Sequence, residues 1–205
     1  MNIAIIGTGN VGGALAQGFA RAGHQVRLGV RDLENFKGKN LLDASPNISA
    51  YLLRDAVAAS EVIVLAVPAQ ATADVARSLG DVAGKVIIDT MNGVFMRPEG
   101  FANTTDAILA NCNTADMVKC FNTTGFENML DPRYGDQAAD MFVAGDSSRA
   151  KQVATQLAQD LGFGKVWDFG GLDKATLLEQ FALCWINLAI MQQHGRGLAF
   201  KVLER

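Results

Sequence analysis

Six residues near the amino terminus, Gly7-Thr8-Gly9-Asn10-Val11-Gly12, have the spacing of a glycine-rich phosphate loop. The chemistry of such a loop is anion binding by backbone. The first glycine permits a tight turn, the second lets the chain approach a pyrophosphate, and the third lets helix and strand pack closely. The helix that follows offers unpaired N–H groups and the positive end of its dipole. Taken alone the pattern is weak, and a purely structural glycine turn in another α/β fold is the alternative. Its context strengthens it: the apolar run Asn2–Ile6 precedes the loop and a helical segment follows, which is the setting a dinucleotide-binding loop requires.

Selectivity among nicotinamide cofactors is decided at the end of the second strand. An NAD-preferring domain carries Asp or Glu there, about 20 residues past the loop, to bond the ribose hydroxyls. Here the segment reads Gly29-Val30-Arg31-Asp32, with valine at the expected acidic position and an arginine beside it. A guanidinium suits the 2′-phosphate of NADP(H), and a charge-assisted hydrogen bond of this kind contributes about 1.5–3 kcal/mol. The competing reading leaves Arg31 solvated and gives the ribose to Asp32.

The elements that must position these residues alternate along the chain, as in a parallel sheet covered on both faces. Val11, Leu15 and Phe19 recur every four residues with Ala14, Gly18 and Ala22 beside them, one apolar helical face that Gly23 ends. A second strand is predicted over His24–Leu28, a helix over Leu53–Ser60, and a strand over Glu61–Val67 whose β-branched run implies burial on both faces. Pro68 stops that strand. A helix over Ala69–Leu79 and a strand over Lys85–Asp89 follow. Residues 93–116 are less regular, rich in Asn and Thr, and suited to wall a site. Strands are expected at Met117–Phe121, Asp140–Ala144 and Lys165–Phe169. Between the last two lies a helix at Ser147–Leu161, capped by Asp146 or Ser147. A long apolar helix is predicted over Asp173–Gln193. The fold class is therefore α/β, a Rossmann-type doubly wound and mostly parallel sheet with a short C-terminal helical extension. Residues 1–172 form the NADP-binding domain, and 173–205 pack on that domain or on a dimer partner.

Composition narrows the function. A net charge of −3 without a basic run gives no nucleic-acid footprint. Cys112, Cys120 and Cys184 lie far apart, no CxxC pair occurs, and two histidines are too few for a zinc cluster, so no metal site is expected and the thiols read as reduced and mostly buried. The N-terminus lacks the basic start and long apolar region of an export signal. The longest apolar stretch, Phe181–Met191, is too short for a membrane span, which needs about 18 residues or more. It reads as core or dimer interface, and the expected setting is cytoplasmic.

With the loop, the Gly29-Val30-Arg31 segment and the strand ending Ala66-Val67-Pro68 in view, the chain resembles the coenzyme F420-dependent NADP oxidoreductases. Relatives of that family include the cytosolic NADPH-binding domains of metalloreductases. The likeness extends to Val118-Lys119-Cys120-Phe121-Asn122-Thr123, to Phe142-Val143-Ala144-Gly145-Asp146 and to the closing helix from Leu178-Glu179 to Trp185-Ile186. It thus covers nearly the whole chain. The resemblance implies hydride transfer between NADP(H) and a deazaflavin or flavin ring (coenzyme F420, FMN or FAD as co-substrate), and a homodimer. One departure is Val30, where the family often has serine; without that hydroxyl, NADP preference rests on Arg31 and Thr8.

Carried over to this sequence, Ala66, Val67 and Pro68 line the cofactor where open α/β sheets bind ligands, unless Pro68 is only a strand terminator. Asn92, in Thr90-Met91-Asn92-Gly93, is placed to face the nicotinamide end, although Asn-Gly is also an ordinary turn. Asn122 and Thr123 end the sixth strand, where they orient the nicotinamide carboxamide or the acceptor's polar edge, or else cap the next turn. Lys119 is a charge inside an apolar strand: a proton donor, or a paired structural lysine. His24 and His194 read as bystanders. No general acid stands out. A flavin-type ring delocalises incoming charge and leaves the protein to align the partners, whereas carbonyl or imine reduction more often needs a proton donor. The rival readings are a reductase of a small imine or carbonyl substrate, such as a pyrroline-carboxylate reductase or hydroxyacid dehydrogenase, and a non-catalytic NADP(H)-sensing module.

Overall fold

The computed structural model describes all 205 residues. The chain opens with β1 (Asn2–Ile6), α1 (Asn10–Arg21), β2 (Gln25–Val30), β3 (Ile48–Leu52) and α2 (Leu53–Ala58). It continues through β4 (Val62–Leu65), α3 (Thr72–Ser78), β5 (Val86–Asp89), α4 (Thr104–Leu109), β6 (Asp116–Lys119) and α5 (Phe126–Leu130). A short hairpin, β7 (Arg133–Tyr134) and β8 (Gln137–Ala138), leads to β9 (Met141–Val143), α6 (Ser148–Asp160), β10 (Val166–Asp168) and α7 (Ala175–Ile186).

The first six strands form one parallel sheet in the order β3-β2-β1-β4-β5-β6. Both faces are covered, which explains the unbroken apolar runs. Successive residues alternate between two cores. Ile3, Ile5, Val62, Val64 and Ile88 pack with Leu15 and Phe19 of α1 and Leu157 of α6. Ala4, Ile6, Ile63, Leu65 and Ile87 pack with Val57 of α2, Leu79 and Ile108 of α4. Each fully buried large aliphatic side chain contributes about 1.5–3 kcal/mol, so the sheet is a rigid platform for whatever its carboxyl edge carries.

β9 and β10 pair in parallel with each other, and a single antiparallel bridge from Lys119 to Ala144 joins them to the edge of the main sheet. A small aromatic cluster secures the C-terminal segment there. Phe181 of α7 stacks on Phe200 at 4.6 Å and meets the edge of Phe142 at 4.8 Å. Trp185 Nε1 donates to the Leu198 carbonyl at 2.7 Å. Asp140, whose side chain is 1% exposed, accepts from Trp167 Nε1, Val202 N and Lys201 Nζ. Burial pushes the Asp140 carboxyl up, but the bonds from Trp167, Val202, Lys201 and Lys165 outweigh it and leave its pKa below the ordinary value. A depressed pKa contributes stability that is present above the unfolded value of about 3.9 and is lost as pH falls through the folded value. Asp140→Asn is accordingly expected to destabilise the protein at pH 7 and progressively less below pH of about 4. Urea unfolding of both proteins across that range checks this, and a penalty independent of pH refutes it.

Several sequence expectations need correction. The strand β3, Ile48-Ser49-Ala50-Tyr51-Leu52, adds to the expected elements; its partly buried edge position leaves no clear apolar pattern. Within the less regular residues 93–116 one short helix, α4, forms, with Asn103 Oδ1 accepting from Asp106 N at its start. The helix expected over Ala69–Leu79 begins as a tighter turn at Ala69–Ala71. Ser147, not Asp146, caps α6, and Asp146 instead accepts from Leu172 N. The single helix expected over Asp173–Gln193 is three pieces: a tight turn at Leu172–Lys174, α7, and a wider π-helical turn at Asn187–Met191 closed by Gln192 N to Asn187 O. The thiols are also less uniformly buried than expected, since Cys184 is exposed. No helix is long and apolar enough to cross a membrane.

Candidate functional site

Strand order reverses between β1 and β4, and in open α/β sheets ligands bind in the crevice outside the carboxyl ends of the strands at such a point. The crevice is narrow at its root. Gly7 adopts a φ of 106°, and a Cβ there would sit 2.3 Å from the Ala66 carbonyl oxygen. A Cβ on Gly12 would lie 1.8 Å from the Gly7 carbonyl oxygen, so the third glycine of the loop is needed by the fold itself. Gly9 differs from both. A Cβ there would meet nothing within 4 Å, so its smallness keeps space open outside the protein.

That space belongs to a cavity of about 720 Å³, within the usual size of small-molecule sites. Gly7, Thr8, Gly9, Val30, Arg31, Ala66, Val67 and Pro68 all line it. Asn10 lines an adjoining groove of about 310 Å³, which shares Thr8, Gly9 and Lys37 with the cavity. Val11 is half-buried against the core behind the loop, and Gly12 is buried. β4 ends at Leu65, three residues before Pro68, so Pro68 contributes wall rather than stopping the strand as expected.

The segment after β2 holds residues that sequence reasoning missed. Asn35, Phe36 and Lys37 fold over the cavity beside Arg31. The Thr8 hydroxyl donates to the Lys37 carbonyl, and the left-handed Gly38 packs against Thr8. This tie brings a second cation to the mouth of the site. Its only sequence signal was the Phe36-Lys37-Gly38 turn. Asp32 also lines the cavity; its Oδ1 accepts from Glu34 N and Asn35 N at 2.8 and 3.2 Å and shapes the loop.

Further along the carboxyl edge, Asn92 and Asn122 pair reciprocally. Asn92 Nδ2 donates to the Asn122 carbonyl at 2.8 Å, and Asn122 Nδ2 donates to Asn92 Oδ1 at 2.9 Å and to the Leu178 carbonyl of α7 at 3.1 Å. Neither lines the cavity, and Asn122 and Thr123 are 3% and 2% exposed. Asn122 Oδ1 has no partner. Phe121, just before, takes a left-handed φ of 66°, which is strained for a bulky residue. Its ring is wedged beside Phe19 and Phe163.

The candidacy of Lys119 as a proton donor is corrected by its burial. The side chain is 0% exposed, and its ammonium donates to Asp89 Oδ2 at 2.8 Å, the Met91 carbonyl at 2.9 Å, Thr104 Oγ1 at 2.9 Å and Glu179 Oε1 at 3.1 Å. Asp89 and Lys119 are direct cross-strand neighbours in register. His24 has a structural place too, between the N-terminal amine and Asp160. His194 lies outside the cavity and groove. No cluster of His, Cys, Asp and Glu suits a metal ion.

A six-stranded parallel sheet in this order, a glycine loop at the switch point and a basic residue after β2 define a Rossmann-type dinucleotide-binding protein. The family model described as "NADP oxidoreductase coenzyme F420-dependent" matches residues 2–93. An F420-dependent NADP reductase of Methanothermobacter thermautotrophicus is 31% identical over 93% of this chain and 90% of its own. The chain belongs to this F420-dependent NADP oxidoreductase family. A crystal structure described as a putative F420-dependent NADP reductase from Arthrobacter sp. FB24 superposes with a TM-score of 0.84 at 27% identity, covering 100% of both chains. The metalloreductase STEAP3 of Rattus norvegicus is more distant, 25% identical over 88% of this chain and 36% of its own length.

Proposed function

We propose that this protein passes hydride between NADP(H) and a deazaflavin of the F420 type. The observation that carries the reading is the cavity at the switch point, with Arg31 and Lys37 at its mouth and valine rather than an acid at position 30. The names of the curated relatives support the same acceptor.

The residues present fit the dinucleotide. Gly9 leaves the space a pyrophosphate needs, and the amino end of α1 supplies backbone N–H groups to it. Arg31 and Lys37 meet the 2′-phosphate, Arg31 through its planar fork and Lys37 as a point charge. Val67 and Pro68 wall the cleft, and the nicotinamide end is assigned beyond them, toward the Asn92–Asn122 pair further along the carboxyl edge. Bound NADPH supplies a two-electron hydride donor. The deazaflavin takes up charge in its own ring, so alignment is the main demand on the protein. The burial of Lys119, the one basic candidate for a proton donor, is consistent with that and disfavours the imine or carbonyl alternative.

The test is NADPH oxidation by the purified protein with F420, FMN and FAD offered separately. Turnover with F420 is the expected result, and FMN or FAD would serve as a poorer planar acceptor. Tight NADPH binding without turnover on any ring would replace this reading with a small carbon substrate or a sensing role.

A homodimer in a cytoplasmic setting completes the proposal. Leu177, Cys184, Leu188 and Met191 are exposed on α7 and the π-helical turn beyond it, at helical spacing. No Asp, Glu, Lys or Arg lies between Glu179 and His194 to keep that face wet. Burial pushes the Cys112 thiol up to about 11 and raises the Cys120 thiol further, so both are poor nucleophiles at neutral pH. Alkylation at pH 8 should therefore report on Cys184 alone: slow in concentrated protein, where the dimer covers it, and faster on dilution. A rate independent of protein concentration overturns the dimer on this face.

A further inference from the structure

We infer that Lys119 and Glu179 are positioning residues for hydride transfer: they lock the turn after β5, and through it the Asn92–Asn122 pair, into the wall beside the nicotinamide. The inference rests on the dinucleotide reading of the site.

The argument begins with where the buried charges spend their bonds. Lys119, Asp89 and Glu179 are all at most 3% exposed. Two carboxylates and an ammonium out of water are a poor way to gain stability, since apolar side chains of similar volume commonly do as well. Their contacts converge instead on one short stretch of backbone. Asp89 Oδ1 accepts from Met91 N at 2.9 Å, Lys119 Nζ donates to Met91 O at 2.9 Å, and Glu179 Oε2 accepts from Gly93 N at 3.1 Å. These are the residues on either side of Asn92. Threonine hydroxyls complete the cluster, with Thr104 and Thr105 both donating to Asp89 Oδ2. Thr104 N also reaches Glu179 Oε1 at 3.2 Å.

The side chain of Asn92 is then held from the other direction by Asn122, whose amide also ties to Leu178 O. Leu178 and Glu179 are consecutive residues of α7. One turn of the C-terminal helix thus holds Asn122 directly, through Leu178 O, and the backbone beside Asn92, through Glu179 and Gly93 N. The Asn122 amide orientation is fixed, because its nitrogen has two acceptors, while its Oδ1 is buried without a partner. The left-handed Phe121 is the local distortion that directs Asn122 to this place.

The closing experiment compares Glu179→Gln with the wild type, using adenosine 2′,5′-bisphosphate as a probe that has the 2′-phosphate and no nicotinamide. The amide cannot accept from Gly93 and from Lys119 together, so the turn loosens. Affinity for the bisphosphate should stay within about twofold, while NADP⁺ loses its extra affinity over that probe and kcat with F420 falls on the order of 10²-fold, the scale of a misplacement of about 1 Å. A neutral variant, Asp89→Asn with Lys119→Met and Glu179→Gln, should keep the thermal midpoint close to that of the wild type yet stay slow. Parallel loss of both affinities with lowered thermal stability would assign the cluster to the fold alone. An unchanged ratio of the two affinities and an unchanged kcat overturn the inference while leaving the dinucleotide reading intact. Failure of the wild type to bind the bisphosphate overturns both.

Discussion

Replacing Gly9 by valine is expected to abolish NADP(H) binding while the protein remains folded. The backbone at Gly9 has a φ of −76°, ordinary for any residue, and a Cβ there touches no protein atom within 4 Å. Nothing inside the molecule resists the larger side chain. The space it fills is the approach of the pyrophosphate to the backbone N–H groups of α1. Charge-assisted bonds of this type contribute about 1.5–3 kcal/mol each, so losing two or more predicts at least about a 10²-fold fall in affinity. Gly12→Ala is the instructive contrast. Its Cβ would lie 1.8 Å from the Gly7 carbonyl oxygen, so it should lower the thermal midpoint as well as binding. Fluorescence titration with NADPH and a circular dichroism melt separate the two effects. Wild-type affinity in Gly9→Val would refute the loop assignment.

Arg31→Ala is expected to weaken NADPH by about tenfold to a hundredfold and NADH hardly at all. Arg31 lines the cavity and its side chain makes no hydrogen bond or ion pair within the protein, while Asp32, in the same wall, has its Oδ1 bonded within its own loop. Lys37 stands in the same wall and retains part of the 2′-phosphate attraction. The double replacement with Lys37→Ala should therefore bring the two cofactors closer to parity than either single change. Titration of each variant with NADPH and NADH reads this directly. Equal losses for both cofactors would remove the phosphate role from Arg31.

The parts of this site that were legible in the sequence are those written in consecutive residues. The loop Gly7–Gly12 announces itself because its three glycines answer three different steric demands between a strand and a helix. The sheet was legible because strands buried on both faces leave little room for polar residues, as in Val62–Leu65 and Val86–Ile88. β3 escaped notice for the opposite reason: it lies at the sheet edge, and its Tyr51 and Leu52 are exposed. Lys37 was hidden because its place depends on how a loop folds back over Thr8. Lys119 was visible as an anomaly, but its partners Asp89, Thr104 and Glu179 are far apart in the chain. Periodicity does not report a meeting of residues 60 positions apart. The break of the C-terminal helix into a π turn was equally silent, since one uniformly apolar stretch serves both geometries.

The union of Lys119 with Glu179 also sets an order of events during synthesis. Lys119 enters the growing polypeptide 60 residues ahead of the carboxylate that completes its surroundings. At about 5–20 residues per second the ribosome adds that stretch in roughly 3–12 s. Through that interval the nascent sheet can form from strands already made, but the turn bearing Asn92 lacks its clasp from α7. Protease resistance of stalled nascent chains should accordingly rise in two stages, the second only once Glu179 has cleared the exit tunnel. The turn bearing Asn92 thus gains its last fastening only after α7 has been made.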